Sequence, residues 1–216
     1  MNLSQRLASF APDKETVLTI GVFDGVHLGH QYLLQQLTKL AQPDYLPAVI
    51  TFTNHPVTTL SPGTQIRYIT TPEQRTRLLK ANGIQLVAGL EFTLEDSRVT
   101  ARDFAAILVE TLGMKGMLMG PDSAVGHNRE GDINFLRHLG PQLGFWVAEV
   151  QPLVLDGSPV QSRRIREVIG WGDVATCARL LGRNFSLTGK VVPGDQRGRD
   201  LGFPTANLEI SPEVMI

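Results

Sequence analysis

Gly21-Val22-Phe23-Asp24-Gly25-Val26-His27-Leu28-Gly29-His30 is the stretch on which the fold turns. It grows out of an apolar run, Val17 to Phe23, that reads as a buried strand. It leads into Gln31 to Leu40, where Leu33, Leu34, Leu37 and Leu40 sit at helical spacing. A strand that passes through a glycine turn into a helix leaves free amide N–H groups and the positive end of the helix dipole at the turn. Gly25 and Gly29 let the backbone bend sharply and approach a ligand closely. His27 and His30 share one face if the helix begins at Val26. Two imidazoles beside exposed amides make a site for a polyphosphate, and a protonated histidine can stabilise a departing pyrophosphate. The same pair also fits a metal site, although no further acidic or histidine ligand stands at a recognised spacing, and it fits ordinary capping and packing. The stretch lacks both the G-x-G-x-x-G fingerprint and the Walker lysine.

Outward from that turn, short apolar runs alternate with longer helical patterns. Leu46 to Thr53, Gln85 to Leu90, Gly116 to Gly120 and Phe145 to Val150 read as strands. Thr71-Pro72-Glu73-Gln74 predicts a helix start, with Thr71 as cap, Pro72 in the first turn and Gln74 bonding back. That helix runs to about Ala81, where Asn82-Gly83 supplies the stop. Thr100 to Leu112 carries Phe104, Ile107, Leu108 and Leu112 on one face and ends at Gly113. The alternation predicts an α/β fold, a doubly wound, mostly parallel sheet with helices on both faces. In such sheets ligands bind beyond the carboxyl ends of the strands, where the Gly21–His30 stretch falls. After about Leu181 the texture changes: Gly182, Gly189, Gly194, Gly198 and Gly202 arrive in close succession, with no further helical pattern. A boundary there divides the chain into residues 1–182 and 183–216.

The chain has 216 residues, room for one substantial domain and a small extra piece. Its 20 basic and 21 acidic residues give a net charge of -1, without the basic excess of a nucleic-acid-binding surface. A single cysteine, Cys177, excludes an internal disulfide framework; it lies in a helical run and reads as a buried structural thiol. Met1 to Phe10 is no signal peptide, and no apolar run approaches a membrane span, so a cytoplasmic enzyme without membrane or nucleic-acid partners is expected.

His27-Leu28-Gly29-His30 has the form of the HxGH signature of the nucleotidyltransferase superfamily. The longer Gly21–His30 string resembles the bacterial bifunctional riboflavin kinase/FAD synthetase family. That resemblance implies a HUP-type fold in which the motif holds the phosphates of ATP, with Gly21, Phe23, Asp24, Gly25, His27, Gly29 and His30 as ATP-site residues. Thr51-Phe52-Thr53-Asn54-His55-Pro56 resembles the family's flavin-side segment, which points to Phe52, Asn54, His55 and Pro56; taken alone it reads as a strand ending in a Pro turn. Gly120-Pro121-Asp122-Ser123-Ala124-Val125-Gly126 resembles the G-x-D-F-x-F-G stretch, with Ser123 and Val125 in place of two phenylalanines and Asp122 kept toward the nucleotide. Ser162-Arg163-Arg164-Ile165-Arg166 resembles S-T-x-I-R, which closes over the phosphates; Arg163 stands where the family has threonine, and Gln161 where it usually has serine. Ser162 is expected to cap the following helix and Arg166 to aim its guanidinium at phosphate, with Arg163 beside it.

Gly189 to Asp195, and Gly202-Phe203-Pro204-Thr205-Ala206-Asn207, resemble the opening of the riboflavin kinase module, in which Thr205 and Asn207 help hold Mg-ATP. The fold expectation is therefore a nucleotidyltransferase domain followed by the incomplete start of a β-barrel kinase module, too short to phosphorylate riboflavin. The implied reaction is ATP + FMN giving FAD + pyrophosphate, with His27, His30, Ser162 and Arg166 as catalytic residues. No metal-binding residues are assigned: Mg²⁺ enters with ATP and is held largely by substrate and water. Two rivals remain, a nucleotidyltransferase for another phosphate acceptor and a non-catalytic flavin- or nucleotide-binding relic.

Overall fold

The computed structural model describes residues 1–194, 197–203 and 205–216; Asp195, Gln196 and Pro204, and the side chains of Arg199 and Asp200, lie outside the described residues. Asn2 and Gln5 form a reciprocal capping box that starts α1 (Leu3–Ala8). There follow β1 (Thr16–Ile20), α2 (Leu28–Ala41), β2 (Leu46–Phe52), α3 (Pro56–Leu60), α4 (Pro72–Ala81), β3 (Leu86–Leu90), α5 (Ala101–Leu112) and β4 (Met114–Met119). The chain continues through α6 (Ile133–Leu143), β5 (Trp146–Glu149), the short hairpin β6 (Val154–Leu155) and β7 (Ser158–Pro159), α7 (Ser162–Gly170) and α8 (Val174–Leu181). Last come β8 (Lys190–Val192), α9 (Arg197–Asp200) and β9 (Asn207–Glu209).

The central sheet has the order β3-β2-β1-β4-β5, and all four pairings are parallel. The chain winds one way from β1 through β3 and the other way through β4 and β5. The order therefore reverses beside β1, and a crevice opens at the carboxyl ends of β1 and β4. Successive strand residues feed opposite layers. Leu18, Ala48 and Ile50 pack with α1, α5 and α6, while Val17 and Val49 pack with Leu34 and Leu37 of α2 and Leu79 of α4. Burial on both faces explains why these strands read as continuous apolar runs. The fold is α/β and doubly wound, as expected.

Local signals set several ends. Thr71 and Gln74 form the expected capping box, and Thr100 caps α5, which ends at Gly113 in the left-handed conformation. Other ends differ from expectation. β1 stops at Ile20 rather than Phe23, because Phe23 and Val26 adopt positive φ of 53° and 38° and turn the chain out of the sheet. α2 begins at Leu28, so Val26 and His27 precede it. Phe52 leads, beyond a short turn, into helix α3 with Pro56 at its start, not merely a Pro turn. The four-residue α9 lies in a segment where no helix is expected.

A third apolar cluster joins α7, α8 and the loop before α4. Ile69, Val160, Ile165, Val168, Cys177, Leu180 and Leu181 are buried in it, and burial pushes the Cys177 thiol up. The end of the chain packs there too. Tyr68 N–H donates to the Glu213 carbonyl at 2.6 Å and Met215 N–H to the Tyr68 carbonyl at 2.8 Å, with Val214 buried between. No helix among the described residues is long and apolar enough to cross a membrane.

Candidate functional site

Asp24 is the hub of the turn after β1. It is 1% exposed. Its carboxylate accepts from Ile69 N–H at 2.9 Å, Thr70 N–H at 3.2 Å and the Thr70 hydroxyl at 3.3 Å. Arg166 adds Nη2 at 2.8 Å and Nε at 3.2 Å, both to Oδ2. Gly25 N–H donates to Thr70 Oγ1 at 3.0 Å. Gly25 has φ +80°, and a Cβ there would lie 3.1 Å from the Ile69 side chain. A Cβ on Gly29 would meet the Val160 carbonyl oxygen at 2.8 Å and the His27 ring at 3.1 Å. These glycines thus let the turn pack against its own walls. Asp24, an expected ATP residue, shapes the turn from inside.

His27 is the N-cap of α2, its Nδ1 accepting from His30 N–H at 3.3 Å. The two histidines come together by stacking, with ring centroids 3.7 Å apart and planes 19° apart, rather than along one helical face. Phe23 packs on His30, centroids 5.0 Å apart. Burial, then the Arg183 and Arg166 guanidiniums, push the His27 imidazole down to about 4. Burial, then His27 and Arg75, hold His30 well below the ordinary histidine range. Both shifts favour neutral rings at neutral pH, so the free site offers imidazole N–H donors rather than charged ones. The His30 Nδ1 is buried without a partner among the described residues.

Two cavities flank this turn. The larger, about 750 Å³, is lined by Gly21, Phe52, His55, Pro56, Asp122 and Ser123 among others, with Val125 in its wall. The smaller, about 270 Å³, is lined by His27, Gly29, His30, Gly120, Gln161 and Ser162 among others. The structure thus collects the expected flavin-side residues in one cavity and the paired histidines in the other. Asn54 is the exception. Its amide donates to the Phe92 carbonyl and to Thr59, and its oxygen accepts from Phe92 N–H at 2.7 Å, so it ties the β2 and β3 loops together. His55 caps α3 through Nδ1, and burial, then Arg166, push its imidazole down. The exposed Asp122 offers its backbone carbonyl to Arg129 at 2.6 Å.

In α7, Ser162 is the first helical residue rather than the cap. Gln161 holds the cap position without a side-chain bond, and the Ser162 hydroxyl donates to the Asp24 carbonyl at 2.9 Å. Arg166 lies on the Asp24 carboxylate with 22% of its side chain exposed. Arg163 points away: it is 87% exposed and pairs with Glu167 one turn on at 3.2 Å. Thr205 and Asn207 are exposed and line neither cavity.

Two arginines escape sequence reasoning. Arg75 of α4 is 1% exposed, and its Nη1 donates to the Phe52 carbonyl at 2.6 Å. Its spacing of four from the buried Leu79 places it on the inner helix face, and that spacing was its one signal. Arg183 braces the turn from behind, donating to the carbonyls of Gly25 at 2.6 Å and Val26 at 3.2 Å. Its place beside Leu181-Gly182 does not reveal this role, because the turn it braces lies more than 150 positions away.

The FAD synthetase family matches residues 9–164, and the riboflavin kinase family matches residues 181–216. Similar proteins include the bifunctional riboflavin kinase/FMN adenylyltransferase of Escherichia coli strain K12, 34% identical over 99% of this chain and 67% of its own length. That of Pseudomonas fluorescens is 35% identical over 97% of this chain and 68% of its own. A crystal structure described as a macrolide-efflux protein from Streptococcus pneumoniae superposes with a TM-score of 0.87 at 30% identity, over 96% of this chain and 68% of that one.

Proposed function

Because the chain belongs to the FAD synthetase family, we propose that it transfers the AMP unit of ATP to FMN, releasing pyrophosphate. The observation that carries this reading is the pair of cavities flanking the Gly21–His30 turn, one largely apolar and beside Phe52 and His55, the other beside His27 and His30. The apolar cavity has room for an isoalloxazine ring, and in this reading the smaller one, beside the imidazoles and the start of α2, takes the nucleotide phosphates.

An FMN phosphate oxygen attacks the α-phosphorus of ATP in line, and the bond from that phosphorus to the bridging oxygen breaks as pyrophosphate leaves. The attacking phosphate is already ionised at neutral pH, so no protein base is required. The protein aligns two polyanions and answers the charge that builds between them. With Nδ1 accepting from His30 N–H, the neutral His27 ring carries its proton on Nε2 as a donor. Arg166 supplies a guanidinium from α7, one turn beyond the Ser162 that lines the smaller cavity, released from Asp24 when the phosphates arrive. Mg²⁺ enters in this reading as part of the MgATP substrate, held largely by phosphate oxygens and water.

Residues 1–182 are assigned this activity. Among the described residues of the segment 183–216, the β8–β9 pair leaves most of both strands exposed and closes no barrel by itself, so riboflavin phosphorylation is not assigned to it. Ser123 and Val125 in the larger cavity favour a second reading, in which the acceptor is another phosphate bearing a less aromatic group. Incubation with MgATP and FMN, and separately with other phosphate acceptors, separates the two. FAD and pyrophosphate are expected; pyrophosphate formed only with a different acceptor would favour the second reading.

A further inference from the structure

Arg75 is a charge the reaction above does not use. It is 1% exposed, its Nη1 is engaged by the Phe52 carbonyl at 2.6 Å, and its Nε and Nη2 have no hydrogen-bond partner among the described residues. It stands over the Tyr68 ring, 5.6 Å from the centroid. Tyr68 leads directly into Ile69 and Thr70, whose amides hold Asp24, so Arg75 stands beside that carboxylate, the one acting on it most strongly, which Arg166 already binds. The cluster therefore sets two guanidiniums against one carboxylate in the interior, with Arg166 the more exposed of the two.

We propose that Arg75 is a positioning residue for nucleotide capture: it compensates the Asp24 carboxylate when Arg166 leaves it for the ATP phosphates. The proposal rests on the nucleotide-binding reading of the site. Arg166 places both Nε and Nη2 on Asp24 Oδ2, so turning toward a phosphate strips the carboxylate of its salt bridge. A buried carboxylate left without a cation is strongly disfavoured, which would hold Arg166 in place. The amides of Ile69 and Thr70 stay on Asp24 throughout, and Arg75 keeps a positive charge beside it. The second guanidinium thus lowers the penalty for Arg166 to turn outward. No proton is transferred. A direct phosphate contact by Arg75 is disfavoured, since it is 1% exposed and held on the Phe52 carbonyl, whereas Arg166 keeps 22% of its side chain exposed.

The test is a double-mutant cycle read by binding of α,β-methylene ATP, which cannot react, to the unaltered chain, Arg75→Met, Arg166→Ala and the double variant. Arg75→Met is expected to weaken binding about tenfold in the unaltered background and to change it less than about twofold beside Arg166→Ala, since contacts acting through one another are not additive. Arg75→Lys, which keeps the charge, should restore most of the affinity. Arg75→Gln, which keeps a donor for the Phe52 carbonyl, replaces Arg75→Met if that variant does not fold. Equal losses on both backgrounds, or unchanged affinity in folded Arg75→Gln, overturn the proposal. Because the readout is binding alone, the result stands apart from whether FAD forms.

Discussion

His27 accepts the His30 amide on one nitrogen and is buried on nearly all sides, so protonating it costs the fold energy. Its imidazole sits at about 4 against an ordinary 6.5. Between those values the unfolded chain binds the proton and the folded chain does not, so stability falls as pH drops through that window. From neutral pH to pH 5, His27 alone should remove about 2 kcal/mol, and His27→Gln should flatten that part of the profile. Urea melts at pH 7 and pH 5 check this; an equal pH loss in His27→Gln would show that other groups carry it. In turnover, His27→Ala should lower kcat by about 10²–10³, the scale for removing one donor aimed at transition-state charge. Arg166→Ala should cost about 2–3 kcal/mol of transition-state stabilisation, as a charge-assisted hydrogen bond does. Arg163→Thr should leave the ATP KM within about twofold, because an exposed i,i+4 pair with Glu167 contributes little. A crippling Arg163→Thr beside a harmless Arg166→Ala would reverse that ranking. The sequence named these residues but not their states: neutral rings and an inward-facing Asp24 are products of burial by α4, α7 and Arg183, which no spacing encodes.

Elements were legible where their signals are local and long. The Thr71–Gln74 capping box and the α5 apolar face each need only neighbouring residues, and both formed. α1 and α3 are six and five residues long, too short for a period to show. α6 hides behind Gly140-Pro141, which reads as a break; Pro141 falls near its end and Gly140 packs against the Phe145 carbonyl, where a Cβ would come within 2.4 Å. The pairing of Tyr68 with Glu213–Met215 was invisible because it joins segments far apart in the chain. It matters to the site, because Tyr68 precedes the two amides that hold Asp24. Met215→Pro removes the N–H given to the Tyr68 carbonyl, and should lower stability by about 1 kcal/mol or more and raise the ATP KM. Thermal melts and ATP titration check it; an ATP KM equal to that of the unaltered chain would confine the contact to stability.

At the scale of the whole molecule, strand order places the chemistry. The reversal beside β1 opens the sheet at the Gly21–His30 turn, and the loops after β1 to β4 wall the larger cavity on one side of it. The alternation of strands and helices foretold such a crevice at the carboxyl ends. Its division into two chambers was not foretold, because it depends on how the segments either side of the β6–β7 hairpin and the start of α7 close the smaller one. If the chambers hold separate substrates, filling them should separate the two Michaelis constants. Ala124 lines the larger cavity and Pro152, exposed, lines the smaller. Ala124→Trp should raise the FMN KM about tenfold, roughly 1.4 kcal/mol, while leaving α,β-methylene ATP binding within about twofold. Pro152→Trp should do the reverse. Neither residue donates a hydrogen bond to the Asp24 hub, so each variant alters volume rather than charge. Loss of both affinities in either variant would mean the chambers form one continuous site. Loss of nucleotide binding in Ala124→Trp alone would place ATP in the larger chamber and exchange the two assignments.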